Sequence, residues 1–250
     1  MENQETFLSH LIELRQRLVW GLLAYGVACA PMLYFSAELY DLLALPLMQS
    51  LPEGSRMIAT GVISPFLIPM KIGFFAAFVI ALPFILYQVW AFVAPGLYAH
   101  EKRLALPLVV SSTLLFLVGM FFCYYFVFGQ VFSFIAKFAP KSITVAPDIE
   151  AYFNFVLGMF LAFGLAFELP VVVFVLVLTG LVNVAQLREW RGYVVVGIFV
   201  VAAVVTPPDV VSQLALAVPM CILYEVGIFF AQFISRPAKD APAVGEATRE

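Results

Sequence analysis

Two glutamates lie beside basic residues at the ends of long apolar segments. Glu13 lies in the segment 7–18, FLSHLIELRQRL, and Glu101 lies in the segment 92–103, FVAPGLYAHEKR. Two carboxylates at a membrane surface suit a ligand with adjacent arginines, because each guanidinium can be held by a bidentate pair of hydrogen bonds. The two acids therefore predict a site for paired arginines. Simpler interpretations remain open: Glu13 has the i,i+4 spacing of a helix-surface ion pair with Arg17, and Glu101 suits a helix N-terminus.

Two further glutamates interrupt apolar segments. Glu168 and Glu225 each lie about 15 residues inward from the predicted outer end of a helix, which is about 22 Å at 1.5 Å per residue. An acid at the centre of a membrane helix costs roughly 2.5–3.5 kcal/mol on the insertion scale, so such residues are functional by default. A proton-coupled small-solute transporter that uses both acids as a proton relay is therefore the alternative to a binding site for paired arginines. An internal hydrogen bond is the simpler structural interpretation.

Signatures of catalysis are absent from the sequence. It contains no GxxxxGK[ST], GxSxG or HExxH motif, which argues against ATP binding through a P-loop, serine-hydrolase chemistry and zinc-protease chemistry. The three cysteines lie far apart inside apolar runs, without the spacing of metal ligands or of a disulfide framework. The sequence therefore predicts neither an enzyme nor a cofactor or metal site.

The composition requires a membrane setting for these residues. Hydrophobic residues make up 64% and charged residues 12% of the 250 residues, and the mean hydropathy is +1.03. Soluble domains are about 45–50% apolar and about 25% charged, and the alternating strands of a transmembrane barrel would not reach this apolar fraction. With a net charge of −3, no basic excess suggests a nucleic-acid partner. An all-α, polytopic integral membrane protein surrounded by the lipid bilayer is predicted.

Six stretches are apolar and long enough to span a membrane as helices, which takes about 17–25 residues each. They lie at about 18–36, 70–93, 104–128, 153–179, 192–207 and 211–233. The fourth stretch is interpreted as one helix that kinks at 168–170, because two helices would each be too short. Residues 1–235 are predicted to form a single transmembrane domain, followed by a disordered cytoplasmic tail at 236–250.

Positive charges predict the orientation of these helices. Nine basic residues fall at one set of helix ends, namely Arg15, Arg17, Lys102, Arg103, Arg188, Arg191, Arg236, Lys239 and Arg249. Four fall at the other set, namely Arg56, Lys71, Lys137 and Lys141. Because positive charge is retained on the cytoplasmic side, both termini are predicted to be cytoplasmic, as an even number of spans requires. The outside loops are then about 37–69 and 129–152, with a tight turn at 206–210.

Four segments together resemble the TatC family, the multispanning core subunit of the twin-arginine protein translocase. They are 7–18, FLSHLIELRQRL; 86–104, LYQVWAFVAPGLYAHEKRL; 162–170, AFGLAFELP; and 205–213, VTPPDVVSQ. The resemblance implies a cupped, glove-like bundle of six helices with both termini cytoplasmic. It implies a function: binding the twin-arginine motif of signal peptides and exporting folded proteins with single-span TatA- and TatB-like partners. It also implies that the proton-motive force supplies the energy.

The resemblance also implies where the protein is located in the cell and that it assembles into a larger complex. Members of the family act in a membrane within a larger complex, so self-assembly is expected. The absence of a transit extension before the first apolar run favours the bacterial inner (cytoplasmic) membrane over an organelle.

The resemblance also assigns roles to individual residues. It makes Glu13 and Glu101 the acids that receive the arginine pair. Supporting residues of the same signal-peptide site are Arg15, Arg17, Phe92 and Leu97.

Three more assignments concern the membrane interior and the outer side. Glu168 resembles an intramembrane acid on the concave face of the bundle, and Pro46 resembles a functionally sensitive proline of the first outside loop. Docking of partner helices is implied at Thr206 and Gln213, with Asp209 in the adjoining turn.

Overall fold

The fold is all-α, which confirms the predicted class. The computed structural model describes residues 2–50, 56–93, 105–138, 146–206 and 210–233. Within these ranges, the only β feature is an isolated parallel bridge between Ile58 and Asp148. The predicted tail 236–250 lies outside the described residues.

Helices make up most of the described residues. They are α1 (Glu2–Tyr34), α2 (Ser36–Met48), α3 (Ser64–Val93), α4 (Ala105–Phe122), α5 (Phe128–Phe138), α6 (Ile149–Phe167), α7 (Leu169–Leu178), α8 (Val184–Glu189), α9 (Arg191–Val205) and α10 (Val210–Gln232). A single π-helical turn, Cys123–Val127, joins α4 to α5.

Five helical segments are long and apolar enough to cross a membrane within the described residues. They are Leu11–Tyr34, Ser64–Phe92, Leu106–Phe134, Ile149–Leu178 and Val210–Gln232. Each overlaps one of the predicted spans. The remaining predicted span, 192–207, corresponds to α9, whose 15 residues rise only about 22 Å against a hydrocarbon core of about 30 Å. The sixth crossing therefore stays a prediction.

The segment Leu106–Phe134, which overlaps the predicted span 104–128, stays helical beyond residue 128. The π-helical turn Cys123–Val127 accommodates one extra residue per turn and redirects the chain without ending the helix. Beyond the turn, Val131 and Phe132 of α5 are buried. Because this face of α5 packs into the core, residues 128–138 form a helix where the sequence predicted the start of a loop.

The break between α6 and α7 lies where the sequence predicted a kink. Pro170 has no backbone N–H, so the carbonyl of Ala166 loses its usual helical partner. The Glu168 N–H bonds the carbonyl of Leu165 at 3.1 Å, and the Val172 N–H bonds the carbonyl of Glu168 at 3.0 Å. The two helices therefore continue as one kinked segment with Glu168 at the kink.

A group of segments at one end of the bundle, which we call the cap, consists of α2 and residues 56–63 and 146–150. The Ile58 N–H bonds the Pro147 carbonyl, and the Ile149 N–H bonds the Ile58 carbonyl, both at 2.9 Å. Helix α2 is fastened by two tyrosine hydroxyls. Tyr124 donates to the Leu42 carbonyl at 2.9 Å, and Tyr152 donates to the Leu43 carbonyl at 2.7 Å. The cap is thereby tied to α6 and to the π-helical turn.

Asp148 is the polar centre of the cap. One carboxylate oxygen caps α6 by accepting from the Ala151 N–H at 3.0 Å, and the other accepts from the Thr60 hydroxyl at 2.8 Å. These bonds favour the charged form and hold the pKa of Asp148 below its usual range, the Ala151 N–H having the largest effect. The stabilisation that charged Asp148 gives the folded protein is therefore complete above the ordinary aspartate pKa. It is lost as the pH falls through the lowered pKa.

Two glycines allow α4 and α6 to cross at close range. A Cβ at Gly119 would lie 2.5 Å from the carbonyl oxygen of Phe163. A Cβ at Gly164 would lie 2.5 Å from the ring of Phe116, which is fully buried. The phenylalanine-rich core between these helices depends on this approach, as expected where small residues form membrane-helix interfaces.

The first prediction concerns this crossing. Gly119→Ala should destabilise the protein by about 1–3 kcal/mol, because the new methyl group meets main-chain atoms that cannot rotate away. Gly129→Ala is the matched control, since nothing lies within 4 Å of a Cβ there. Thermal unfolding in one detergent measures both variants. Equal unfolding temperatures for the two variants would contradict the close crossing.

Candidate functional site

Glu13 of α1 is held by an arginine one turn later on the same helix. Oε1 of Glu13 accepts from Nε of Arg17 at 2.9 Å and from Nη2 at 2.6 Å. The side chains are 33% and 26% exposed, respectively. The i,i+4 ion pair that the spacing allowed is therefore present, and the Glu13 carboxylate is partly exposed at the protein surface. Arg15 is exposed on the same helix.

The second acid of the predicted pair cannot be placed beside the first. Glu101 and Leu97 lie outside the described residues, between the end of α3 and the start of α4. Phe92 is described and is half-buried in the last turn of α3. The meeting of Glu13 with Glu101 therefore stays a prediction.

A large apolar groove begins at the Glu13–Arg17 pair and runs between α1, α3 and α6. Its volume is about 1010 Å³. Its wall on α1 includes Leu14, Leu18 and Leu22, and its other walls are rich in phenylalanine and leucine: Phe74, Phe75, Phe78, Phe92, Leu157 and Leu161. This groove was not predicted from the sequence, because it depends on which faces of three distant helices remain unfilled.

Polar groups stand at the two ends of the groove. Arg17 and Gln88 lie at the end near Glu13, and Lys71 and Asn154 lie at the end near the cap. The Lys71 ammonium donates to Oδ1 of Asn154. Lys71 is one of the four basic residues at the predicted outer helix ends, and this is the sequence signal that points to the pair.

Glu168 lies at the α6–α7 kink and is not among the residues that line the groove. Its side chain interacts with Ser112 of α4, and its place on the concave face, which the resemblance implied, stays a prediction. Ser112 is fully buried and accepts from Nε1 of Trp90 at 3.2 Å. Oε1 of Glu168 is buried without a hydrogen-bond partner among the described residues. No spacing rule in the sequence signals Ser112 as a neighbour of Glu168, because the two residues lie on separate helices.

Glu225 has a cationic partner that the sequence did not predict. Its Oε2 lies 2.6 Å from Nη2 of Arg191, which begins α9, and the side chains are about half exposed. The two residues are 34 positions apart, so no spacing rule signals their contact. The buried hydroxyl of Tyr224 also donates to the Leu187 carbonyl at 2.8 Å, which ties α10 to α8. Glu225 is thus an ion-paired residue near the α8–α9 connection.

The residues implied for partner docking are partly internal. Thr206 is buried, and its hydroxyl donates to the Ala202 carbonyl at 2.8 Å. Nε2 of Gln213 bonds the Phe199 carbonyl at 3.4 Å. Asp209 lies outside the described residues. The hydroxyl of Thr206 is thus engaged by its own helix, whereas the valines of α9 are exposed: Val195, Val196, Val200, Val201 and Val204.

Pro46 belongs to α2 of the cap. It is half-buried, and its carbonyl accepts from the Ser50 hydroxyl at 2.8 Å. A proline inside a helix removes one main-chain hydrogen bond, so Pro46 leaves α2 with one such bond fewer.

No group of metal-ligating side chains is found among the described residues.

Comparison with known proteins gives one consistent relationship. A family model described as Sec-independent protein translocase protein (TatC) matches residues 9–219. The Sec-independent protein translocase protein TatC of Escherichia coli K12 is 48% identical over 233 residues, covering 93% of this chain and 90% of that protein. The TatC protein of Azotobacter chroococcum mcd 1 is 49% identical over 238 residues, covering 95% of this chain and 93% of that protein.

A solved structure agrees with the sequence comparison. The crystal structure of the twin-arginine translocase receptor TatC superimposes with a TM-score of 0.78 and 37% identity. The superposition covers 91% of this chain and 100% of that chain.

The second prediction concerns the ion pair between Arg191 and Glu225. In a double-mutant cycle of Arg191→Gln and Glu225→Gln, the coupling should be about 0–1 kcal/mol, because half-exposed ion pairs are screened by solvent. Thermal or denaturant unfolding in detergent measures it. A coupling above about 3 kcal/mol is typical of breaking a buried pair and would show that Glu225 is desolvated. Glu225 would then again be a candidate for a functional acid inside the membrane.

Proposed function

The chain belongs to the TatC family of Sec-independent protein translocase proteins, and we propose that its cytoplasmic acidic site binds the arginine pair of twin-arginine signal peptides. The protein is a membrane component of the Sec-independent translocase and acts in protein transport, not as an enzyme. The observation that carries the proposal is the Glu13 carboxylate, which already accepts two hydrogen bonds from a guanidinium at the surface end of an apolar groove.

The Glu13–Arg17 pair supports exchange with an incoming arginine. Both side chains are partly exposed, and exposed pairs of this type contribute only about 0–1 kcal/mol. Breaking the pair therefore costs little. A guanidinium from a signal peptide can take the place of Arg17, and Glu101 would receive the second arginine.

The groove extends the proposed site into the membrane. Arg17 contacts Glu13 and also lines the groove, so the acidic site and the groove are contiguous. A signal peptide that follows its arginines with an apolar segment can lay that segment along the groove walls, where burial of apolar side chains contributes about 25 cal/mol per Å². Phe92 lines the same end of the groove and would contact the peptide near the arginine pair.

The remaining assignments complete the proposed role. TatA- and TatB-like single-span helices would pack against the exposed valines of α9 near Thr206 and Gln213, and the protein would assemble with further copies in a larger complex. The setting would be the bacterial inner membrane, with both termini cytoplasmic and α9 as the sixth crossing. The proton-motive force would supply the energy. The transporter alternative is not supported, because Glu225 is paired with Arg191.

The third prediction tests the acidic site. Glu13→Gln and Glu101→Gln should each weaken binding of a twin-arginine signal peptide about tenfold or more, because the bound peptide covers the site and each substitution then removes a charge-assisted hydrogen bond that is shielded from solvent. Glu189→Gln is the matched control, because Glu189 is an exposed acid on α8, on the same predicted face. A fluorescent peptide titrated into the protein in nanodiscs measures the affinity.

A second peptide makes this experiment decisive. Replacing the arginine pair by two lysines should cost wild-type protein a similar factor, because an ammonium cannot form the bidentate bonds. It should cost the Glu13→Gln variant much less. Equal affinity of both peptides for the wild type, together with full affinity in both glutamate variants, would remove the acidic-site proposal and leave the fold intact.

A further inference from the structure

Lys71 is a cation at the end of an apolar groove, without an acidic partner among the described residues. Its ammonium donates one hydrogen bond to Oδ1 of Asn154, a neutral amide. Two acids of the cap are engaged elsewhere: Asp148 with Thr60, and Glu150 with Ser64 at 2.8 Å. Lys71 is exposed, so two of its three donors and the amide nitrogen of Asn154 remain able to bind an anion.

Lys71 and Asn154 lie close to the cap end of their helices. Lys71 lies seven residues after the start of α3 at Ser64, and Asn154 lies five residues after the start of α6 at Ile149. At 1.5 Å per residue, both lie about 8–10 Å from that end. The headgroup region of a bilayer is about 5–8 Å thick on each side of the hydrocarbon core, so a long cationic side chain this close to the helix end can reach a lipid headgroup.

The groove beside the pair is apolar and is kept open by two glycines. Gly21 of α1 and Gly158 of α6 both line it, and nothing lies within 4 Å of a Cβ built at either position. Its volume of about 1010 Å³ is at the upper end of the about 300–1,000 Å³ of sites that hold drug-sized molecules. An apolar cavity of this size within a bilayer must contain apolar material.

We propose that the groove holds an acyl chain of an anionic phospholipid from the leaflet on the cap side, with its phosphate bound by Lys71 and the Asn154 amide. Lysine is a common phosphate ligand, and a Lys side chain near the end of a membrane helix can extend its ammonium to the interface. The acyl chain lies along Phe74, Phe78 and Leu161 of the groove wall, and the apolar segment of a signal peptide would displace it from there. The proposal requires the membrane setting but not the proposed signal-peptide site.

The fourth prediction is a measurement of retained lipid by native mass spectrometry. Protein is released into mild detergent from nanodiscs that contain phosphatidylglycerol and phosphatidylcholine with identical acyl chains. Wild-type protein should retain phosphatidylglycerol preferentially. Lys71→Gln should reduce that retention about tenfold or more by removing the cation, and Gly158→Leu should reduce it similarly by filling the groove.

Matched controls separate the site from general effects. Arg56→Gln removes an exposed cation of the cap. Gly26→Leu adds a side chain at a position that does not line the groove and where nothing lies within 4 Å of a Cβ. Both controls should retain lipid as the wild type does. Gly21→Leu is a second groove-filling variant if Gly158→Leu fails to fold, as judged by thermal unfolding.

The outcomes are distinct from those of the signal-peptide experiment. No peptide is present, and Glu13→Gln should leave lipid retention unchanged. Unaltered retention in Lys71→Gln, or equal retention of the two lipids by the wild type, would overturn the phosphate site. Full retention in both groove-filling variants would show that the groove is occupied by something other than an acyl chain and would also overturn the proposal.

Discussion

The packing of α1 against α3 through small side chains is the contact on which both proposed binding regions depend. Ala28 of α1 is buried against Ala77 and Ala81 of α3, and a Cβ at Gly73 would lie 3.0 Å from the Met32 carbonyl oxygen. Lipid gives apolar helices little reason to associate, so such close packing is what holds them together. The rest of α1 is largely exposed, and its first half presents Glu13 while leaving the groove open toward α6.

The polar groups of the bundle follow from the same constraint. Inside a bilayer, an unpaired polar group costs several kcal/mol, so hydroxyls and amides bond neighbouring helices or their own main chain. Tyr124, Tyr152 and Thr206 all donate to carbonyls. Oε1 of Glu168 is the exception among the carboxylates of the described residues, being buried without a partner. The α6–α7 kink thus leaves one carboxylate oxygen without a donor from the described residues.

Sequence predicted features that depend on local pattern and missed those that depend on distant contacts. Helix class and most helix positions follow from runs of apolar residues, and the Glu13–Arg17 pair and the Pro170 kink follow from spacing within one helix. The π-helical turn Cys123–Val127 was missed because no residue pattern signals one extra residue in a turn. The Arg191–Glu225 pair and the groove were missed because they arise only when separate helices pack.

We propose that the acidic site and the groove form one continuous path for a signal peptide. Photo-crosslinking tests this continuity, with one reactive residue beside the arginine pair of the peptide and another in the middle of its apolar segment. We expect the first to crosslink to α1 near Glu13 and to residues 94–104, and the second to groove residues such as Phe78 and Leu157. Crosslinks of the apolar segment to exposed outer positions, such as Val27 of α1 or Phe229 of α10, would show that the peptide does not follow the groove.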